Sequence, residues 1–369
     1  MPPFPGLGGV VGFWRALAEV DPQAIAMQAV QGVSIAIVGP PDVGKRTLRR
    51  ALLGHGQPHP ALGAPGTRRG DEAVASAVEV VEVEPHSEGT RRLPWVPGAH
   101  LYLYLVDGGR GIDPADAAPA RQLEGRGGRV IYVVNKADQL GAPEAFRYTA
   151  GAAFGVPHPE NARRLALAVA TDPEHLNREL IPKMALALDT RALAMARALP
   201  GTREAVAQTL IADAAKANAQ FALISSLPAS IPLVGTLATL GADTVVLTKN
   251  QALLVFKLAA IHGRALDSKV QLAAEILPVV GAAFLWRSAA RALVGLLPGL
   301  VSAVPKAAIA FAGTYVVGQS AHYYYRWGQR PRRETLERFS RDAARLVRDG
   351  LTGTLGRSDG PKALGPGRN

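Results

Sequence analysis

The sequence predicts an α/β domain with a mainly parallel sheet and helices on both faces, followed by an all-α domain rich in apolar residues. Three observations carry this. Short apolar runs alternate with helix-patterned segments over about 150 residues. A glycine-rich turn joins the first of these runs to a helix. The composition then changes near residue 190: residues 1–190 hold 19 basic and 20 acidic side chains, whereas residues 191–369 hold 22 and 10, together the net charge of +11.

Residues 12–30 have helical spacing, with Asp21-Pro22 as a break and restart. Residues 33–38 (VSIAIV) form an apolar run ending in Gly39, read as a buried strand. Residues 45–53 follow with helical spacing, and residues 54–72, rich in Gly, Pro and His, read as a loop. Residues 78–84 (VEVVEVE) alternate with a period of two, the pattern of a half-exposed strand. Residues 101–106 (LYLYLV), 130–134 (VIYVV) and 165–170 (LALAVA) are further strands, with helices at 115–125 and 175–190. Beyond 190, residues 191–216 are helical and amphipathic. From Ala217 to Tyr325, Gly and Pro punctuate Ala/Leu/Val-rich pieces, which predicts short hydrophobic helices joined by tight turns. A last basic helix is expected at 331–349. The expected organisation is N-terminal helices over 1–30, the α/β domain over 31–190, the hydrophobic and basic all-α domain over 191–350, and a disordered tail over 351–369.

Composition excludes several chemistries. The chain has no cysteine, so disulfides, thiolate zinc sites, iron–sulfur clusters and a Cys nucleophile are ruled out. With 48% apolar and 19% charged residues, bulk disorder is excluded too. The apolar N-terminus lacks a basic region and a cleavage site, so it is not read as a signal peptide, and the cytoplasm is the default compartment. No two histidines have metal-ligand spacing apart from His55/His59 in the loop, where a flexible segment is the simpler reading. No catalytic-triad signature occurs.

The strongest motif is Gly39-Pro40-Pro41-Asp42-Val43-Gly44-Lys45-Arg46-Thr47, placed after a strand and opening a helix. That context makes a phosphate-binding loop. Glycines turn backbone N–H groups toward phosphate oxygens, the helix N-terminus adds positive potential, and Lys45 reaches the β/γ-phosphates. The next position ordinarily carries a hydroxyl that binds Mg²⁺, but here it is Arg46, which cannot ligate a cation. Thr47 is one residue late, and a turn of about 100° aims it elsewhere.

The second motif is Asn135-Lys136-Ala137-Asp138, directly after the strand VIYVV. In this order Asp138 accepts both donors on the Watson–Crick edge of guanine, Lys136 lies over the base, and Asn135 ties the turn to the phosphate loop. Adenine presents no such donor pair and would leave the carboxylate unmatched.

These residues carry a family resemblance. Residues 33–185 resemble a GTPase domain of the Era-like (TrmE–Era–EngA) group: GPPDVGKRTLRRALLG is similar to that group's G-x-P-N-V-G-K-S-T-L-x-x-A-L-x-G. Pro65-Gly66-Thr67-Arg68 resembles its switch I P-G-T-T, which implies that Thr67 senses the γ-phosphate. Ala170-Thr171 sits where the group has its S-A guanine loop, which acts partly through a backbone N–H; the resemblance implies that Ala170 belongs to the guanine site. The resemblance implies GTP/GDP as ligand. Two departures stand against magnesium use and fast hydrolysis: Arg46 itself, and Pro85-His86-Ser87-Glu88-Gly89 where the group has D-x-P-G. Asp107, after the next strand, matches a V-D of the group outside the metal site.

Residues 217–327 resemble a hydrophobic helical domain of unknown function fused to such GTPases, on Leu227-Pro228, Ile231-Pro232, Gly241-Ala242-Asp243, Thr248–Leu254, Ile261-His262-Gly263 and Gly313–Gly318. That resemblance implies membrane association. The residues point the same way. Ala217–Ala242 and Ala307–Tyr325 are uncharged and long enough to span or dip into a bilayer. Tyr325, Arg326 and Trp327 end the second stretch as an interfacial belt does. Arg330, Arg332 and Arg333 begin a basic segment suited to anionic headgroups on the cytoplasmic side of a membrane. A buried bundle and a solvated basic helix are the bland alternatives. The expectation is a guanine-nucleotide-binding protein at the membrane with slow hydrolysis and no identified protein partner. The alternatives are a membrane scaffold that has lost its nucleotide role and an RNA-binding assembly factor. The last is the weaker because no RNA-binding motif occurs.

Overall fold

The computed structural model describes residues 18–54, 78–82, 95–112, 114–156, 161–225, 242–268, 270 and 303–355. The first helix, α1 (Pro22–Val30), starts where Asp21 accepts the N–H groups of Gln23 and Ala24 and Pro22 fills the first turn. A parallel five-stranded sheet follows, with β1 (Ile35–Gly39), β2 (Val78–Glu82), β3 (Leu101–Asp107), β4 (Val130–Asn135) and β5 (Leu165–Leu167) in the order β2-β1-β3-β4-β5. Helix α2 (Lys45–Leu52) follows β1, α3 (Pro114–Gly125) follows β3, and α4 (Pro143–Phe154) follows β4.

Strand parity divides the core. Ile35, Ile37, Leu101, Leu103, Leu105, Ile131, Val133 and Ala166 face one side, where α1 and α2 pack. Ala36, Val38, Tyr102, Tyr104, Val106, Tyr132, Val134, Leu165 and Leu167 face the other, under α3 and α4. Burial of both faces explains why these strands read as unbroken apolar runs rather than alternating ones. The expected α/β fold with helices on both faces is therefore present, and a helical region follows it.

Several boundaries differ from the sequence reading. The last strand ends at Leu167, and Ala168–Thr171 turn away from it. The helix expected at 175–190 is three pieces: α6 (Pro173–Glu179), α7 (Ile181–Leu188) and a 3-10 turn at Asp189–Arg191; a short α5 (Asn161–Arg164) precedes β5. Pro182 in the first turn of α7 starts a new helix rather than continuing the old one. Next come α8 (Ala192–Ala198) and a turn at Pro200–Thr202.

The described parts of the segment after this turn form long helices, and two of them lie where short helices were expected; the pieces at 226–241 and 271–302, with most of the Gly and Pro residues, lie outside the described residues. The long helices are α9 (Arg203–Ile224), α10 (Ala242–Ile261), α11 (Ala303–Trp327) and α12 (Arg333–Leu355). Gly318 sits inside α11 because a Cβ there would come within 2.7 Å of Ile211 and 2.9 Å of Leu254. The glycine is a packing notch between three helices, not a break. Helix α12 also runs past the expected end at 349 to Leu355; the tail beyond it lies outside the described residues. One apolar core runs from the sheet through α7, α8 and α9 into α10 and α11, crossing residue 190 without interruption.

The helical region also buries polar groups in layers. Asn218 donates to Thr314 at 2.8 Å and accepts from Asn250 at 2.7 Å. Beyond the Ile211/Leu254/Gly318 layer, Gln319 donates to Gln208 at 2.6 Å, and Glu204 accepts from His322, which in turn meets His262 at 3.2 Å. Burial alone would raise the Glu204 carboxyl, but His322, Gln208 and Arg326 override it and bring its pKa down to about 2. Burial first, then the neighbouring His322, Arg203 and Arg326, hold the His262 pKa well below its ordinary value. Among the described residues, no helix is long and apolar enough to cross a membrane. The stretch Ala307–Tyr325, expected as a span, lies in α11 with Thr314, Gln319, Ser320 and His322 buried against its neighbours. The other expected span falls partly in α9, and residues 226–241 lie outside the described residues.

Candidate nucleotide-binding site

The strand order places a crevice where the chain departs from β1 to opposite sides, toward β2 and β3, at the carboxyl ends of the strands. Ligands of open α/β sheets bind there. The turn after β1 occupies this position. Its backbone adopts left-handed conformations at Asp42 (φ 60°) and Gly44 (φ 94°), which curl the loop before α2 begins. Gly44 must also lack a side chain, since a Cβ would lie 2.3 Å from Asn135 Nδ2. Lys45 is buried, and its Nζ donates to the carbonyls of Gly39, at 3.0 Å, and Pro40. The ammonium is thereby folded back over the loop mouth. Helix α2 starts at this loop with Arg46 in its first turn and no acidic residue, an N-terminus whose dipole favours anions; Arg49 and Arg50 lie in its last turn.

The turn after β4 is tied to this loop through one side chain. Asn135, buried at the end of β4, donates from Nδ2 to the Val43 carbonyl at 2.8 Å and accepts at Oδ1 from the Ala170 N–H at 3.0 Å. Three loops, after β1, β4 and β5, are thus stapled around one crevice. The Ala170 N–H is committed to Asn135. This bond fixes the β5 loop beside the turn that carries Asp138. Lys136 takes a left-handed conformation (φ 59°), and Asp138 is exposed in the 3-10 turn Ala137–Gln139. That turn is pinned to the β5 loop by the Ala137 N–H to the Ala168 carbonyl, 3.0 Å.

Arg46 and Thr47 are both exposed in the first turn of α2. Thr67 and residues 85–89 lie outside the described residues. A divalent cation at the phosphates needs oxygen ligands, and the first-turn position offers a guanidinium instead. Among the described residues no group of three or more His, Asp or Glu is placed to hold a metal ion.

The candidate membrane residues separate. Tyr325 is buried in the helical core and not turned to a surface, because it stacks on His262 with ring centroids 6.0 Å apart. Arg326 is engaged by Glu204 and lies over the Trp327 ring at 5.1 Å. Trp327 is 39% exposed, and Arg330, Arg332 and Arg333 are exposed. Glu337 pairs with Arg333 at 3.0 Å. Sequence reasoning noted Asp107 but not its pairing with Lys136, and it passed over Gly201, which contacts the end of α2.

No protein-family model matches the chain. It is similar to GTPase Der of Rhizobium etli (strain CIAT 652), 32% identical over 145 residues, covering 35% of this chain and 30% of the relative. It is also similar to GTPase Der of Thioalkalivibrio sulfidiphilus (strain HL-EbGR7), 33% identical over 141 residues, covering 34% and 30%. The tRNA modification GTPase MnmE of Burkholderia mallei (strain SAVP1) is 30% identical over 141 residues, covering 33% and 29%. A solved structure described as a probable GTP-binding protein engB overlaps 42% of this chain and 98% of its own at 17% identity, with a TM-score of 0.26. The matched relatives are GTPases, and the match spans about 30% of their length.

Proposed function

We propose that the chain binds guanine nucleotides through its α/β region and carries a basic helical region that meets an anionic membrane surface. The observation that carries the first part is the Asn135 staple. A buried side chain joining the phosphate loop to the turn bearing Asp138 makes one site of two motifs that are 92 residues apart. In this reading Gly39, Asp42, Val43 and Gly44 shape the phosphate cradle, Lys45 holds the β/γ-phosphates, and Asp138 reads guanine. The likeness to GTPases over this segment supports it.

Arg46 supports slow hydrolysis and metal-independent binding, because its charge is fixed where a cation would otherwise be recruited. A fluorescent GDP analogue titrated into the full chain should bind, and be displaced by GTP and GDP but not ATP. Removing magnesium with EDTA should change the affinity less than about threefold, roughly 0.65 kcal/mol. Arg46→Ser should weaken binding without magnesium by about tenfold, the scale of one lost charge-assisted contact. Equal displacement by ATP would refute the guanine reading. Absence of binding by folded protein would favour the scaffold without a nucleotide role.

The membrane part rests on α12. Phe339 and Ala343 face inward, while Arg338, Arg341, Arg345 and Arg348 are exposed and recur at three- and four-residue spacing along the outer face. This stripe supports peripheral attachment at the cytoplasmic face. Each arginine near an anionic bilayer contributes about 1 kcal/mol, so replacing Arg338, Arg341 and Arg345 with Gln should lower partitioning onto phosphatidylglycerol vesicles about a hundredfold. Wild-type protein that stays in the supernatant with such vesicles but retains RNA would move the reading to an RNA-binding factor.

A further inference from the structure

Asp107 ends β3 opposite Asn135 of β4 in the parallel register, so it stands beside the candidate guanine turn. It is buried, 6% exposed, and both carboxylate oxygens are used. Oδ1 accepts the Gly109 N–H at 2.9 Å, and Oδ2 accepts Lys136 Nζ at 2.5 Å. The exposed Arg110 is farther away, 3.8 Å from Oδ2. The turn is built to allow this pairing. A Cβ on Gly109 would lie 2.2 Å from Gln139 Oε1, and one on Gly108 would lie 3.0 Å from the Asn135 carbonyl. Gly108 therefore lets the 3-10 turn Gly108–Arg110 press against the backbone of the turn that carries Asp138, while the Gln139 side chain covers Gly109. From the other side, the left-handed backbone of Lys136 turns its side chain back toward β3.

We infer that Asp107 is a positioning residue for base recognition: it anchors the Lys136 ammonium so that the lysine's four-carbon stem is held as a preformed platform for one face of the guanine. This rests on the guanine-nucleotide reading above. A lysine on an open turn samples many rotamers, and a ligand that stacks on it must freeze them. The Asp107 anchor freezes them beforehand, so that cost is not levied on binding. A carboxylate anchor also leaves the ammonium's charge neutralised and facing away from the base, so the platform serves the purine ring rather than the phosphates. The phosphate chain, held by Lys45 at the other end of the crevice, is independent of it.

The test uses the full chain and two ligands, a fluorescent GDP analogue and pyrophosphate as its competitor. Asp107→Asn keeps an oxygen for the Gly109 N–H and removes the charge that holds Lys136. It should weaken GDP about tenfold, or about 1.4 kcal/mol, and leave the pyrophosphate inhibition constant within about twofold. In a Lys136→Met background the same substitution should change GDP affinity less than about twofold, since the residue it acts through is gone. Thermal melting of each variant verifies folding, and Lys136→Gln replaces the methionine variant if the latter does not fold. A merely structural aspartate would weaken GDP and pyrophosphate in parallel. That result, unchanged GDP affinity in Asp107→Asn, or a tenfold loss that persists without Lys136 would each overturn the inference while the guanine reading stands. Failure of the wild type to bind GDP would remove both.

Discussion

Replacing Asp138 with asparagine is expected to lower affinity for GDP by at least about a hundredfold and to create affinity for xanthosine diphosphate. The argument is one of donors and acceptors. Guanine offers an N1–H and an exocyclic amino group side by side, and a carboxylate accepts both. An amide accepts one and opposes the second with its own N–H. Xanthine has a carbonyl in place of the amino group, which matches the amide and repels the carboxylate. Sites built to pair such groups discriminate by several orders of magnitude because the mismatched group loses water and gains no partner. The geometry favours a clean result. Asp138 is exposed on a short turn whose backbone is fixed by the Ala137 N–H to Ala168 bond and by the Gln139 N–H to the Lys136 carbonyl, both 3.0 Å, so the substitution does not disturb the fold. Competition titrations with guanosine, xanthosine and adenosine diphosphates measure the exchange. An Asp138→Asn protein that retains its guanine preference would show that this side chain does not meet the base.

The sheet was legible because its strands are buried on both faces. IAIV, LYLYLV and VIYVV leave little choice but internal strands, and Gly39, Asp107 and Asn135 mark their carboxyl ends. Which residues face which layer was not legible, since both sets are apolar; only the packed structure separates Leu103 from Tyr104. The site divides in the same way. A short motif reports residues close in sequence, so the phosphate loop and Asn135–Asp138 are visible. Contacts between motifs are not. The commitment of the Ala170 N–H to Asn135, and the pairing of Asp107 with Lys136, depend on loops brought together by strand order. Where the helical region is described, its glycine and proline spacing misled for a physical reason. Glycine and proline ordinarily break helices in isolation, but Gly318 is retained because three helices converge on it, and tertiary packing outweighs a cost of about 1 kcal/mol per glycine. Apolar length misled likewise: Ala307–Tyr325 has the length of a span, yet Thr314, Gln319 and His322 make it one wall of a hydrogen-bonded bundle.

The joint between the two regions yields the second large effect, at Gly201. Helix α2 begins at the phosphate loop and ends against the Pro200–Thr202 turn that leads into α9. A Cβ on Gly201 would lie 1.9 Å from the Ala51 carbonyl oxygen and 2.8 Å from that of Leu52, both backbone atoms. Across the same contact, Gly54 (φ 78°) faces Pro200, with room for no side chain of its own. Backbone cannot rotate away as a flexible side chain can, so either α2 or the turn must move. Gly201→Ala is therefore expected to destabilise the protein by about 2–3 kcal/mol, read as a lower urea midpoint with an unchanged slope. Gly125→Ala, at a helix end with nothing within 4 Å of the new methyl, should stay within about 0.5 kcal/mol of wild type. The displaced helix carries Lys45 at its other end, seated on the Gly39 and Pro40 carbonyls. A tilt that reopens those bonds should also weaken GDP several-fold, since misplacement of a positioning group by a fraction of an ångström is costly. Stability and nucleotide affinity would fall together at a glycine that touches no ligand. That outcome would make α2 a rigid strut between the phosphate loop and the helical bundle. Loss of stability with unaltered GDP affinity would confine Gly201 to packing, and a fully stable Gly201→Ala protein would show that the two regions do not dock this closely.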